Sequence, residues 1–262
     1  MIVFAAITPH TPLLLPTIGK EHVSTLSQTH AAFQTLHRQL TAAKPDTILI
    51  ISPHGAQLPD AITINLHETY QGTLAEFGDY STKPTFRADI ELIDRIQRAM
   101  RKSQQPLTLH SEETIDYGMT VPLVLLAGSP PPKLIPLTQA AFDFKTHYDF
   151  GEKLKDTVSA SSKRVAIIAS TDLSHRLSSE TPLGFSPRGA EFDELIRESI
   201  ETGSYSRLLR LEPDFVAEAA PCGLRGVLMI LGMLSGMSVA PSVLAYEHPF
   251  GVGYLTAHLA LS

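Results

Sequence analysis

The sequence predicts an α/β fold: a single domain, with a central mostly parallel or mixed sheet and helices on both faces. Three observations predict it. Apolar runs of strand length recur, among them Ile2 to Ile7, Thr47 to Ile51 and Val165 to Ala169, and continuous apolar strands are those buried on both faces. Segments with apolar residues three to four apart alternate with them, as helices packed on a sheet require. No repeat, low-complexity tract or Pro/Gly/Ser-rich linker interrupts the alternation, so residues 1–262 are expected to form one domain.

The elements follow in order. The strand Ile2 to Ile7 ends in Thr8-Pro9-His10. The next stretch, T-P-L-L-L-P, has two prolines and is expected to be an irregular loop folded back over the strand end. Glu21 to Ala43 reads as a helix, stopped by Lys44-Pro45-Asp46. The second strand, Thr47 to Ile51, ends in Ser52-Pro53-His54-Gly55, and Ala61 to Leu66 is a further strand. Residues 67–85, rich in Gly, Tyr and polar side chains, look like an excursion able to cover a site. Ala88 to Arg101 is amphipathic on Ile90, Ile93, Ile96 and Met100, and Val121 to Ala127 is an apolar helix. Lys133 to Leu137 reads as a strand and His147 to Val158 as a helix. Val165 to Ala169 then turns abruptly polar, at Ser170, Thr171, Asp172, Ser174, His175 and Arg176. Ser186-Pro187 caps a helix that Gly203 ends. Two short helices lead to Pro221-Cys222-Gly223. Leu224 to Leu234 is a helix apolar nearly all round, and Val239 to Tyr246 and Val252 to Leu261 are the last strands.

Composition narrows the function. The chain has 43% hydrophobic and 18% charged residues and a net charge of -6, with no Lys/Arg cluster, so the footprint of a nucleic-acid binder is missing. One cysteine excludes an intrachain disulfide framework and suits a reducing compartment. M-I-V-F-A-A-I-T-P-H has no basic start and too short an apolar run for a signal peptide or a membrane span. A soluble, cytoplasmic protein without a membrane partner is expected.

The chemistry lies at the strand ends. In open α/β sheets ligands bind outside the carboxyl ends of the strands. If the three apolar strands run parallel, His10, His54 and His175 emerge at one edge. One such histidine is more often structural, but three in the same placement are harder to dismiss. A proline precedes two of them and presents the imidazole from a rigid turn, which suits a metal ligand. Two neutral imidazoles suit Fe, Zn, Cu or Ni, and two with one carboxylate mark non-haem Fe(II) oxygen chemistry. Glu218, Cys222 and Glu247 are the candidates for a third ligand. Cys222 precedes a buried helix, where a thiolate is favoured, although a free cysteine is commonly just a small buried hydrophobe. Glu247, at a strand end, has the ordinary alternative of a surface acid. No G-x-S-x-G elbow occurs, so a serine triad is disfavoured. A zinc hydrolase using the same pocket is a weaker option.

T-P-H near the N-terminus, S-P-H-G after the second strand, S-T-D-L-S-H-R-L, C-G before an apolar helix and the closing Y-E-H-P-F-G-V-G-Y occur in this order across the whole chain. In these motifs the sequence resembles the class III extradiol ring-cleavage dioxygenases of the LigB type, together with the Memo proteins. The resemblance implies His10 and His54 as metal ligands, and His175 as an acid/base with Asp172 beside it. It places the third ligand at the start of the apolar helix, where dioxygenases carry Glu and Memo-type members carry Cys followed by Gly. This chain reads Pro221-Cys222-Gly223 there. It also reads Asp116-Tyr117-Gly118 where many dioxygenases carry D-H-G.

The expected activity is therefore Fe(II)-dependent extradiol cleavage of a catechol-type aromatic by O2. His175, Asp172 and Tyr117 are the catalytic candidates, and His10, His54, Cys222 and Glu247 the metal candidates. The alternative is a Memo-like metal- or ligand-binding protein without dioxygenase turnover, in which a thiolate ligand favours Zn or Cu. Members of the superfamily often assemble, so a homo-oligomer is compatible with either.

Overall fold

A computed structural model of the chain describes residues 1–261. Its centre is an eight-stranded mixed sheet. The strands in chain order are β1 (Ile2–Thr8), β2 (Thr47–Ser52), β3 (Ile62–Asn65), β4 (Thr69–Gly72), β5 (Thr85–Arg87), β6 (Leu107–His110), β7 (Thr114–Ile115), β8 (Lys133–Thr138), β9 (Val165–Ser170), β10 (Val239–Glu247) and β11 (Tyr254–Leu261). The large sheet has the order β10-β11-β1-β9-β2-β8-β3-β6, and β5-β4-β7 form a small second sheet. β1, β9, β2 and β8 run parallel, whereas β11 pairs antiparallel with β1 and β3 with β8.

The helices are α1 (Pro16–Gly19), α2 (Ser27–Ala43), α3 (Ile90–Lys102), α4 (Tyr117–Leu126), α5 (Phe144–Ser159), α6 (Pro187–Thr202), α7 (Pro213–Ala219) and α8 (Leu224–Met233). α2 and α4 pack on one face of the sheet, and α3, α5 and α8 on the other. Ile48 to Ile51 and Val165 to Ala169 are wholly buried. Burial stabilises the fold by roughly 1.5–3 kcal/mol for each large aliphatic side chain. α8 is buried along almost its whole length. Its backbone touches that of α5 at Gly151 and Gly232, where an added Cβ would overlap a carbonyl of the facing helix. That contact fixes the segment leading into α8, which carries Cys222.

Three elements differ from expectation. The T-P-L-L-L-P stretch is not irregular. It forms a 3-10 turn, Pro12–Leu14, and α1, because each proline stands at a first helical position. The expected helix from Glu21 is 3-10 over Lys20–Leu26 and α-helical only from Ser27. Residues 67–85 contain β4 and run into β5 at Thr85.

Candidate metal centre

β1, β9 and β2 lie side by side and end level, with Thr8 opposite Ser170 and Ile51 opposite Ala169. The residues after those ends therefore share one edge of the sheet. His10, two residues beyond β1, is 1% exposed. His54 lies two residues beyond β2. The ring Nε2 atoms of the two histidines are 3.0 Å apart, and Cys222 Sγ lies 3.6 Å from His10 Nε2. One ligand atom from each of His10, His54 and Cys222 falls within 4.8 Å of the others.

The orientation of His10 has an identifiable cause. The Ser170 hydroxyl donates its only proton to the Gly118 carbonyl. Its oxygen must then accept from His10 Nδ1, 2.8 Å away. The His10 proton is thus on Nδ1, and Nε2 presents a lone pair to the cluster. Gly118 has a carbonyl to offer because Pro122, four residues on in α4, has no N–H to occupy it. His54 Nε2 is also 3.0 Å from the Tyr117 hydroxyl, whose ring stacks on the imidazole. Two Nε2 atoms at this separation are held together either by one proton or by a shared cation.

The electrostatics favour neutral imidazoles. Burial, and then the charge of His175, pushes His10 down to about 3. Burial, followed by His10, pushes His54 down to about 4. Asp172 accepts the His10 backbone N–H at 3.0 Å, and burial raises its carboxyl to about 6. Its 3.7 Å approach to His10 Nε2 is therefore a contact of a carboxylate with a neutral ring rather than an ion pair. Burial, then the Asp172 charge, pushes the Cys222 thiol up. Cys222 does precede α8, but desolvation outweighs the helix terminus, and without a metal the thiol stays protonated. The Asp172 backbone N–H points at its sulfur at 3.2 Å, a donor that suits a thiolate once one forms. Soft and borderline ions take such a donor set, and a coordinated thiol is deprotonated outright.

His175 is oriented separately. Its Nδ1 donates to the Ala220 carbonyl at 2.9 Å, leaving Nε2 free. Ala220 ends α7 in the left-handed conformation (φ 53°). The stretch Ala220-Pro221-Cys222 thus carries both the acceptor that holds His175 and the thiol of the cluster.

A sequence model of the family described as the catalytic LigB subunit of aromatic ring-opening dioxygenase matches residues 4–257. The chain belongs to the LigB family. It is similar to Protein CA_C1420 of Clostridium acetobutylicum, 27% identical over 256 residues that make up 94% of this chain and 55% of that protein. The chain thus spans about half the length of this relative. Its fold matches the crystal structure of the uncharacterized protein JW3007 from Escherichia coli K12, with a TM-score of 0.68, 17% identity and coverage of 98% of this chain and 100% of that one.

In this LigB chain the other candidates lie as follows. Tyr117 opens α4 beside His54 and touches Phe77 edge-on, with ring centroids 5.0 Å apart. Residues 67–85 therefore do reach the site. Glu247 is not brought to the cluster: its Oε1 accepts the Thr29 N–H at 2.8 Å, in the first turn of α2. Glu218 is exposed, with its carboxylate 3.9 Å from Arg188. Sequence reasoning missed Gly118 and Pro122. The available signal was a proline inside an apolar helical run. It also missed Ala220, which left no signal because its part is played by a backbone carbonyl. Among the described residues no helix is long and apolar enough to cross a membrane.

Proposed function

We propose that this LigB-family protein is a metal-dependent oxidoreductase of the extradiol type, which opens a catechol-type aromatic ring with O2 and holds Fe(II) through His10, His54 and Cys222. The observation that carries this reading is the convergence of two neutral imidazoles and a thiol, with His175 near enough for its charge to act on both imidazoles. When bound, the metal supplies a template for the aromatic diol and O2 and neutralises developing charge.

The chain's own residues handle the protons. His175 Nε2 is free to accept a substrate hydroxyl proton and return it, a task for an imidazole. Asp172, buried beside His10, has its carboxyl raised to about 6 by burial and lies close enough to His175 for the two charges to interact. Burial and the neighbouring Asp172 charge keep the Tyr117 phenol protonated, so it acts as a hydrogen-bond donor. The lone pair it meets on His54 is one that a metal would take, and loading would turn the hydroxyl toward substrate. Anaerobic loading with Fe(II), followed by a catechol panel in an oxygen electrode, tests the reading. Oxygen uptake that is lost in His175→Ala at unchanged iron content is expected. Bound iron without uptake for any catechol would overturn it.

One observation favours a second reading. The third donor is a thiol, not a carboxylate, which suits a Memo-like protein holding Zn or Cu without ring cleavage. Elemental analysis of protein purified without added metal separates the two, since zinc or copper in place of iron supports this second reading.

A further inference from the structure

The imidazole that would move protons and the thiol that would bind the metal are held by one short turn. The stretch 172–176 lies along the stretch 218–222 and is hydrogen-bonded to it repeatedly. The Cys222 N–H donates to the Asp172 carbonyl at 3.4 Å. The Ser174 hydroxyl donates to the Ala219 carbonyl at 2.8 Å, and His175 Nδ1 to the Ala220 carbonyl at 2.9 Å. The Arg176 guanidinium reaches the Glu218 carbonyl at 3.4 Å. A helix leaves its last carbonyls without partners, and here three successive side chains take those of α7.

Ser174 is the centre of this clasp. It is wholly buried. Its hydroxyl also accepts the Arg176 N–H at 3.1 Å. Its backbone N–H donates to Asp193 of α6 at 2.8 Å, and its carbonyl accepts the Gly253 N–H, just before β11, at 2.9 Å. The side chain has little room to move, since a Cβ on Gly189 of α6 would stand 2.5 Å from its Oγ. The turn that Ser174 holds does not favour its own shape. Ala220 is left-handed (φ 53°) and precedes Pro221. A side chain with a Cβ disfavours the left-handed conformation, and a following proline favours extended backbone.

We propose that Ser174 is a positioning residue for both halves of the site: through the Ala219 carbonyl it fixes the turn whose next carbonyl orients His175 and whose following residues carry Cys222. The inference rests on the roles proposed above for His175 and Cys222. Without the hydroxyl, the Ala219 carbonyl is left buried and unpaired, a cost the turn relieves by moving. Ala220 and Cys222 move with it. His175 Nδ1 then loses its fixed acceptor, and the neutral ring is free to carry its proton on either nitrogen.

The test is nitrogen-15 spectroscopy of the histidine-labelled full chain after chelator treatment, at about pH 8 so that imidazoles are neutral. His175 in the natural protein is expected to show a single tautomer protonated on Nδ1, and Ser174→Ala a mixture of both. Gly189→Ala presses on the same hydroxyl from α6 and is expected to act in the same direction. It carries the test if Ser174→Ala fails to fold. Ile200→Val, which trims a buried side chain at the far end of α6, is expected to lower the thermal midpoint and leave the His175 signal unchanged. Zinc affinity, measured by chelator competition, is expected to fall about tenfold in Ser174→Ala as Cys222 shifts. An unchanged His175 signal in the folded variants, an equal change in Ile200→Val, or unchanged zinc affinity would each overturn the proposal. Neither readout uses turnover, so a protein that holds metal and consumes no oxygen would sink the ring-cleavage reading and leave this result standing. If the natural protein binds no zinc, the metal reading falls and the tautomer alone decides.

Discussion

Ser170 at the end of β9 donates its hydroxyl proton to the carbonyl of Gly118 in the first turn of α4, and that one hydrogen bond decides which nitrogen of His10 is free. The carbonyl is available only because Pro122 cannot claim it. Pro122→Ala restores a competing N–H. On helix propensity alone this change should stabilise the protein. It is nevertheless expected to loosen the His10 tautomer and weaken metal binding about tenfold, while Ser170→Ala weakens it by about 10–100-fold. Chelator competition measures the affinity, and nitrogen-15 shifts of the imidazole report the tautomer. Equal affinity in all three proteins would break the link between α4 and His10.

Glu247 behaves in this structure as a helix-end acid. Its carboxylate meets the N-terminus of α2, where negative charge is favourable. Glu247→Gln is expected to cost about 0.3–1 kcal/mol in denaturant unfolding and to leave metal stoichiometry intact. Cys222→Ser should do the reverse. Metal loss in Glu247→Gln alone would reverse the assignment.

Gly118→Ala tests how closely α4 approaches the histidines. Replacing glycine inside a helix ordinarily stabilises by about 1 kcal/mol. Here the new Cβ would stand 2.5 Å from Ser52 Oγ, 2.9 Å from Asp116 Oδ1 and 3.1 Å from His54 Cδ2. A destabilisation of about 1–3 kcal/mol is expected instead, with reduced metal uptake because His54 is displaced. A rise in thermal midpoint would show that the contact relaxes at no cost.

Asp193 gives a pH signature. It is buried in α6, accepts the Ser174 N–H at 2.8 Å and the Tyr246 hydroxyl at 2.8 Å, and so ties the turn before His175 to β10. Burial raises its carboxyl from 3.8 to about 6. A raised folded-state value means that the favourable contribution is complete below about pH 4 and is lost as pH rises through about 6. Asn keeps the shape without the charge. Asp193→Asn should therefore match the natural protein near pH 4 and exceed its stability by up to about 3 kcal/mol near pH 7.5. A difference that does not change with pH would rule this out.

The strand ends were readable because a buried apolar run stopping at T-P-H or S-P-H carries both the β signal and the chemistry in consecutive residues. The sequence reading of a helix from Val121 starts α4 four residues late, because the cap is Asp116. It caps the helix by accepting the Met119 N–H, so the helix begins at Tyr117. The choice among Glu218, Cys222 and Glu247 was not readable. It depends on whether the stretch before α8 or the end of β10 folds back to the edge of β1 and β9, and on which residue of that stretch then faces inward, and tertiary packing settles that rather than local pattern. His175 could be named from its motif, but the group that orients it is a carbonyl 45 residues away, and backbone acceptors leave no mark in composition.

The level ends of β1, β9 and β2 also bear on when the site comes into being. His10 and Cys222 are 212 residues apart along the chain, and no fragment short of the assembled sheet brings them within reach of a common ion. Such non-local contacts close late in folding. A metal that binds only this closed arrangement acts as a ligand of the native state. At a hundredfold excess over its dissociation constant it would add about 2.7 kcal/mol to the stability of the whole domain. On the proposed metal reading, supply of the ion would set the lifetime of the protein as well as its chemistry.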